Sequence, residues 1–179
     1  SKTSYMDIYN FYNLKSITIP LGLSLKPTNE TVHPRIQYIT SQYEFQYYLY
    51  VGNNRKQKNL NFLIETFLDS KSEKKLIIAG CEVNNNSNRI INIQSFSDQD
   101  LITLYKNSFC FVFPSLYEGF GLPIIESANY AQKILSSENG SLIEFDFLGI
   151  NYFNPKLKIQ LGNYFNNESL IIDVKGNLK

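Results

Sequence analysis

The sequence predicts one α/β domain, a parallel sheet with helices on both faces. Three observations carry this. Gln46–Val51 (QYYLYV), Lys75–Ala79 (KLIIA) and Phe109–Phe113 (FCFVF) form short, largely apolar runs without strand-type alternation, the pattern of strands buried on both sides. Between such runs lie segments with apolar residues at helical spacing. Glycine, proline and asparagine clusters separate the two kinds of segment. At 179 residues, 43% hydrophobic, the chain is long enough to bury the core that one such domain needs.

The elements follow in order. Ser4-Tyr5-Met6-Asp7 reads as a capping box and predicts a short helix through about Tyr12. Lys15–Pro20 (KSITIP) predicts a short β-branched strand, and residues 22–36, with Gly22, Pro27, Asn29 and Pro34, an irregular linker. The QYYLYV strand ends at Gly52, and after a polar turn Asn59–Leu68 predicts a helix with Leu60, Leu63, Ile64, Phe67 and Leu68 on its apolar side. Lys75–Ala79 and Ile90–Ile93 are the next strands. Ser97 caps a second core helix, with Asp98 and Asp100 in its first turn and Leu101, Leu104 and Tyr105 facing inward. Phe109–Phe113 is a strand, Gly121–Tyr130 a helix and Lys133–Ser136 another strand. Residues 1–40 are thus expected to be a linking segment and 41–179 the domain proper.

Composition excludes several classes of function. A formal net charge of +1 gives no large field to attract nucleic acid or an acidic membrane. Cys81 and Cys110 lack C-x-x-C spacing and sit at or inside apolar runs, as buried reduced thiols do. No signal peptide opens the chain and no apolar run approaches the ~18 residues of a membrane span. The expected location is cytoplasmic, with attachment to the inner face of the membrane left open. The sequons at Asn29, Asn85, Asn139 and Asn167 follow from the heavy use of asparagine.

In a parallel sheet, ligands bind beyond the carboxyl ends of the strands. Two loops there have distinctive chemistry. Gly52–Asn59 (GNNRKQKN) follows a buried strand and opens a helix. Helix-start N–H groups favour an anion, and Arg55, Lys56 and Lys58 add cations. This suits a phosphate or diphosphate, and equally a solvated basic turn. In FCFVFPSLYEGFGLPIIES (residues 109–127), Gly119 and Gly121 permit close backbone approach to a ligand, and the next helix again offers N–H groups. Glu118 lies on the loop and Glu126 about one turn into the helix, so the two could accept hydroxyl pairs from two sugars flanking one diphosphate. They could also be a helix-start charge and a surface acid.

Together, YVGNNRKQKNLNFLIETF, LIIAG and DLITLYKNSFCFVFPSLYEGFGLPIIES resemble the donor-binding half of retaining glycosyltransferases with the GT-B fold, the group 1 or family 4 type that includes bacterial mannosyl- and glucosyltransferases and sucrose synthase. The match runs in order from about Tyr50 to Ser127 and continues weakly through Glu144 and Ile150–Pro155. E-G-F-G-L-P-x-x-E after a strand and P-S is its most specific element. The resemblance implies a Rossmann-like domain, one half of a GT-B fold, with residues 1–40 similar to the crossover between the two halves. The N-terminal acceptor half, with its glycine-rich loop and histidine, is expected to be absent, and His33 is not expected to replace that histidine.

By resemblance, Lys58 contacts the donor diphosphate, with Arg55 beside it where Asn53 takes the place of the family's frequent arginine. Glu118 contacts the transferred sugar, and Lys58 and Glu118 are the expected catalytic pair. Glu126 binds the ribose, Gly121 and Leu122 offer backbone groups, and Phe96 falls where the base is held. The family needs no metal for the transfer, and no acid cluster of metal-binding spacing appears. No cofactor is implied beyond the substrate, a GDP- or UDP-hexose. The implied function is hexose transfer, of mannose or glucose type, to a glycan or lipid-linked acceptor in surface polysaccharide synthesis. Alone, the chain would be inactive. The alternative is a non-catalytic nucleotide- or protein-binding module. ESANYAQKILSS departs from the family by lacking its usual G-x-P-V. An apolar patch is expected on the face toward the missing half, with Tyr5, Tyr9, Phe11 and Tyr12 as candidates to cover it.

Overall fold

In the computed structural model, which describes residues 1–17, 22 and 25–175, one parallel sheet organises the chain. Its strands are β1 (Tyr47–Val51), β2 (Lys75–Ala79), β3 (Ile90–Ile93), β4 (Cys110–Phe113), β5 (Ile134–Ser137) and β6 (Asn151–Phe153). They lie in the order β3-β2-β1-β4-β5-β6. The helices are α1 (Lys2–Tyr12), α2 (Pro34–Gln42), α3 (Leu60–Leu68), α4 (Asp98–Asn107), α5 (Leu122–Tyr130) and α6 (Lys158–Asn166).

The uniformly apolar strands divide between two cores. In β1, Tyr47, Leu49 and Val51 face one core with Ile36 and Ile39 of α2, Leu101 to Tyr105 of α4 and Ile124 and Ala128 of α5. Tyr48 and Tyr50 face the other, against Leu60 to Phe67 of α3 and Leu161 and Phe165 of α6. Sequence order reverses between β1 and β4, so the chain leaves these two neighbouring strands in opposite directions across the sheet. That switch point leaves a crevice at the strands' carboxyl ends. The loops Gly52–Asn59 and Pro114–Gly121 flank it.

Ser97 caps α4 as expected, with Asp100 completing a capping box. Elsewhere three expectations change. The cap of α1 is Ser1, not Ser4, since the Ser1 side chain accepts from Ser4 N–H. The irregular reading of residues 22–36 stops at Pro34, which opens α2 with His33 as its cap; a proline in the first turn starts a helix as readily as it breaks one. Lys15–Ile17 form no strand, and Ile17 is 88% exposed; Thr18–Pro20 lie outside the described residues. Both cysteines are free thiols, Cys110 fully buried.

Candidate donor-binding site

The first loop closes on itself. Gly52 N–H donates to Ala79 O of β2, Tyr50 Oη donates to Asn53 O and Lys58 N–H to Arg55 O. Gly80 sits at φ 98°, and a Cβ there would meet Gly52 O at 3.0 Å, so glycine is what lets the ends of β1 and β2 approach. A short 3-10 turn, Lys56–Lys58, then leads into α3 and delivers Lys58 to the crevice.

The second loop is held from outside. Its backbone joins the first through Leu116 N–H donating to Gln57 O at 2.7 Å. Ser137 Oγ donates to Ser115 O, Asn139 Nδ2 to Leu116 O and Ser141 Oγ to Glu118 O. Gly121 caps α5 in the left-handed region, φ 97°, and a Cβ there would lie 2.7 Å from Leu142 Cδ2. The backbone N–H groups of Tyr117 through Leu122 find no acceptor among the described residues. Six successive donors without an acceptor beside a helix start are groups that an anion could satisfy.

Lys58 and Glu118 meet across the crevice: Nζ lies 2.7 Å from Oε1, with both side chains largely buried. Lys58 Nζ also sits 5.2 Å from the centre of the Phe113 ring, so the ammonium is enclosed on two sides. Glu126 does not join this pair. It stands half-buried on α5, and burial, then the nearby Asp98 charge, raises its carboxyl above the ordinary value. The sequence thus places two acids eight residues apart, and the fold gives them separate environments.

The remaining expected residues are distributed around this pair. Gly119 is exposed, with nothing nearer than Ser4 Oγ at 4.0 Å to an added Cβ. Leu122 is the first residue of α5. Phe96, half-buried against the α2–α4–α5 core, precedes the Ser97 cap and follows an open cleft of about 530 Å³ at the end of β3, lined by His33, Arg35, Asn92, Gln94 and Ser95 among others. Arg55 is exposed, and its guanidinium bonds to nothing among the described residues; the neighbouring amide of Asn53 is occupied with Arg55 N–H instead. His33 is structural: Nδ1 accepts from Arg35 N–H at 3.2 Å, and the His33 backbone N–H donates to Asp100 Oδ1 at 2.7 Å. A second cleft, about 460 Å³, is lined by Glu138, Tyr152, Gln160, Asn163, Tyr164 and Leu170 and contains none of the expected site residues. Among the described residues no three His, Cys, Asp or Glu side chains gather as a metal-binding group.

Sequence reasoning missed the second loop's supports, Ser137, Asn139 and Ser141, because a hydroxyl bonding to a distant carbonyl leaves no periodic trace. It also missed α1. Ser1 and Ser4 hydroxyls both donate to Gly119 O, at 2.7 and 2.9 Å. Tyr117 Oη donates to Asp7. The α1 aromatics do not pack down as expected: the helix buries no residue, and Phe11 and Tyr12 are 79% and 73% exposed.

The chain and its fold are similar to known proteins. The family described as glycosyl transferases group 1 matches residues 39–145, more than half of the chain. The O-antigen chain mannosyltransferase B of Escherichia coli is 30% identical over a match covering 55% of this chain and 30% of that protein. A serotype-specific mannosyltransferase of Escherichia coli is 46% identical over a shorter stretch, 33% of this chain and 7% of that protein. The chain therefore spans less than a third of these relatives. Among solved structures, sucrose-phosphate synthase of Thermosynechococcus elongatus superposes with a TM-score of 0.72 over 91% of this chain and 46% of that one, at 18% identity. The C-terminal domain of a glycosyl transferase group 1 family protein from Francisella tularensis superposes with a TM-score of 0.57 at 19% identity, covering 78% and 82%. The six-stranded sheet is thus one half of a GT-B fold, and the chain belongs to the group 1 glycosyl transferases.

Proposed function

We propose that this chain is the donor-binding half of a retaining hexosyltransferase of the family 4 type, which takes a GDP- or UDP-hexose of mannose or glucose type. The observation that carries the reading is the Lys58–Glu118 pair at 2.7 Å, built from the two loops that flank the switch point. A donor diphosphate fits the free amides of residues 117–122 and takes over the Lys58 ammonium. That exchange releases Glu118 to the hydroxyls of the transferred sugar. Gly121 and Leu122 offer backbone N–H groups, Arg55 adds an exposed cation at the rim, Glu126 takes the ribose and Phe96 borders the base.

In the transfer, the anomeric carbon exchanges its bond to a diphosphate oxygen for one to an acceptor hydroxyl oxygen, and the hydroxyl proton passes to the departing diphosphate. Charge develops on the departing diphosphate, to which this reading assigns Lys58 and the loop amides, and such preorganised donors are worth roughly 3–4 kcal/mol each in other enzymes. The acceptor, a glycan or a lipid-linked sugar, is held by another domain or subunit. The two Escherichia coli mannosyltransferases favour mannose, and the O-antigen enzyme favours surface polysaccharide. No helix among the described residues is long and apolar enough to cross a membrane, which suits work at the cytoplasmic face of one.

Titration calorimetry of the chain with GDP, UDP and ADP, beside Lys58→Ala and Glu126→Ala variants, tests this. One nucleotide should bind, and each substitution should weaken it about 10-fold or more, the loss of a charge-assisted contact. Binding unaffected by both substitutions would remove the assignment of the site. No binding to any nucleotide would turn the reading to a module that holds a protein partner.

A further inference from the structure

We propose that α1 is a positioning strap for the second loop: it engages the negative atoms around that loop and leaves the N–H groups free for a diphosphate. The inference rests on the donor-site reading. The contacts sort by charge. Gly119 O accepts from Ser1 and Ser4 hydroxyls, filling both lone pairs. The Glu144 carboxylate accepts from Lys2 N–H and Thr3 N–H, each at 3.1 Å, and from Thr3 Oγ1 at 3.0 Å. Asp7 is the exception, an acceptor on α1: it takes a side-chain donor, the Tyr117 hydroxyl, and no backbone N–H of the loop. Among the described residues, none of Lys2–Tyr12 bonds to Lys58, to the Glu118 carboxylate or to Glu126.

The geometry of a trans peptide supplies the second half. All described peptide bonds are trans. Holding the Gly119 carbonyl on α1 turns the N–H of the same peptide, that of Phe120, the opposite way, toward the side α1 leaves open. Glu144 would otherwise repel an incoming anion. At the amino end of α1 its charge is matched by the helix's own free donors. Burial raises its carboxyl, but the bonds from Thr3 and Lys2 outweigh this and hold it below the ordinary value.

The same contacts make α1 detachable. It buries no residue, so it leaves without opening a core, and an isolated helix of 11 residues is marginal in water. Docking and diphosphate binding are therefore coupled, and coupling is reciprocal.

The test combines nucleotide titration with hydrogen exchange of the α1 amides, in the unaltered chain, a Ser4→Ala/Glu144→Gln variant and a Ser4→Thr variant. The double variant should lose GDP or UDP affinity by about 10-fold, the scale of one to two charge-assisted bonds. Its affinity for guanosine or uridine should stay within about twofold, because a nucleoside does not touch the loop amides. Ser4→Thr should retain binding. GDP or UDP should slow α1 exchange in the unaltered chain. Equal losses for nucleoside and nucleoside diphosphate would mean a merely structural helix and overturn the inference. So would unaltered diphosphate affinity in the double variant, or α1 amides that exchange unprotected. Failure of the unaltered chain to bind any of these nucleotides would instead remove the donor reading, and this inference with it.

Discussion

The two loops at the switch point occupy equivalent places, after β1 and after β4, yet they are stabilised differently. Gly52–Asn59 is shaped by its own residues and its immediate neighbour: Tyr50 holds Asn53 O, Arg55 O holds Lys58, and Gly52 hangs on β2. Pro114–Gly121 is shaped by the rest of the chain. Ser137, Asn139 and Ser141 each take one of its carbonyls, and Ser1 and Ser4 share a fourth, Gly119 O. A loop held by its backbone oxygens keeps its backbone N–H groups for a ligand. The difference teaches that the basic loop contributes a side chain, and the glycine loop contributes a surface.

The contrast can be broken most forcefully at Gly121. Gly121→Ala places a Cβ at positive φ against the buried Leu142, and should cost about 2–4 kcal/mol in urea denaturation. Gly119→Ala, with open space and ordinary φ, should stay within about 0.5 kcal/mol. Equal costs would mean that the loop is not pinned at its helix end. Next in size, Ser137→Ala leaves the buried Ser115 carbonyl short of a donor and should cost about 1–2 kcal/mol in the same assay.

A pH series sharpens the comparison through two acids of opposite sign. Glu144 is held below its ordinary value of 4.5, so its contribution is complete above that value and is lost as pH falls through the folded one. Glu126 is raised above 4.5, so stability falls as pH rises from the ordinary value through the folded one. Denaturation midpoints should show Glu144→Gln flattening the acid-side loss and Glu126→Gln removing the opposing one. Nucleotide affinity should also decline on mild acidification as Glu126 protonates, earlier than an ordinary glutamate would dictate. The smallest effect belongs to Arg55→Ala. Its guanidinium has no partner among the described residues, so stability should hold within about 0.5 kcal/mol while nucleotide affinity weakens.

Legibility in the sequence follows the same division. β1 to β5 and α3 to α5 could be read because each strand is a largely apolar run and each helix carries its own start signal, Ser97 above all. The resemblance assigns Lys58 and Glu118 to one site with separate contacts; their ion pair was not legible, since 60 residues separate them and no local pattern predicts their encounter. α2 was hidden by Pro34, which reads as a breaker and serves as a starter. α6 was hidden by its short apolar side, Leu161 and Phe165, around Gly162. The clamps on the second loop come from serines and an asparagine, types that are ordinary in any loop of this chain, so their role exists only in three dimensions.

The tyrosines of β1 have one more consequence. A strand that is apolar on both sides tells its neighbours little about alignment, since sliding by one residue would still bury greasy side chains. Tyr47, Tyr48 and Tyr50 are fully buried, yet their hydroxyls find Leu104 O, Glu168 and Asn53 O. A slipped strand would strand all of those phenol tips in hydrocarbon, at about 1–3 kcal/mol each. The tyrosines thus act as a proofreading ruler during assembly, and by locking β1 in place they set where its carboxyl end, and with it Lys58, comes to rest.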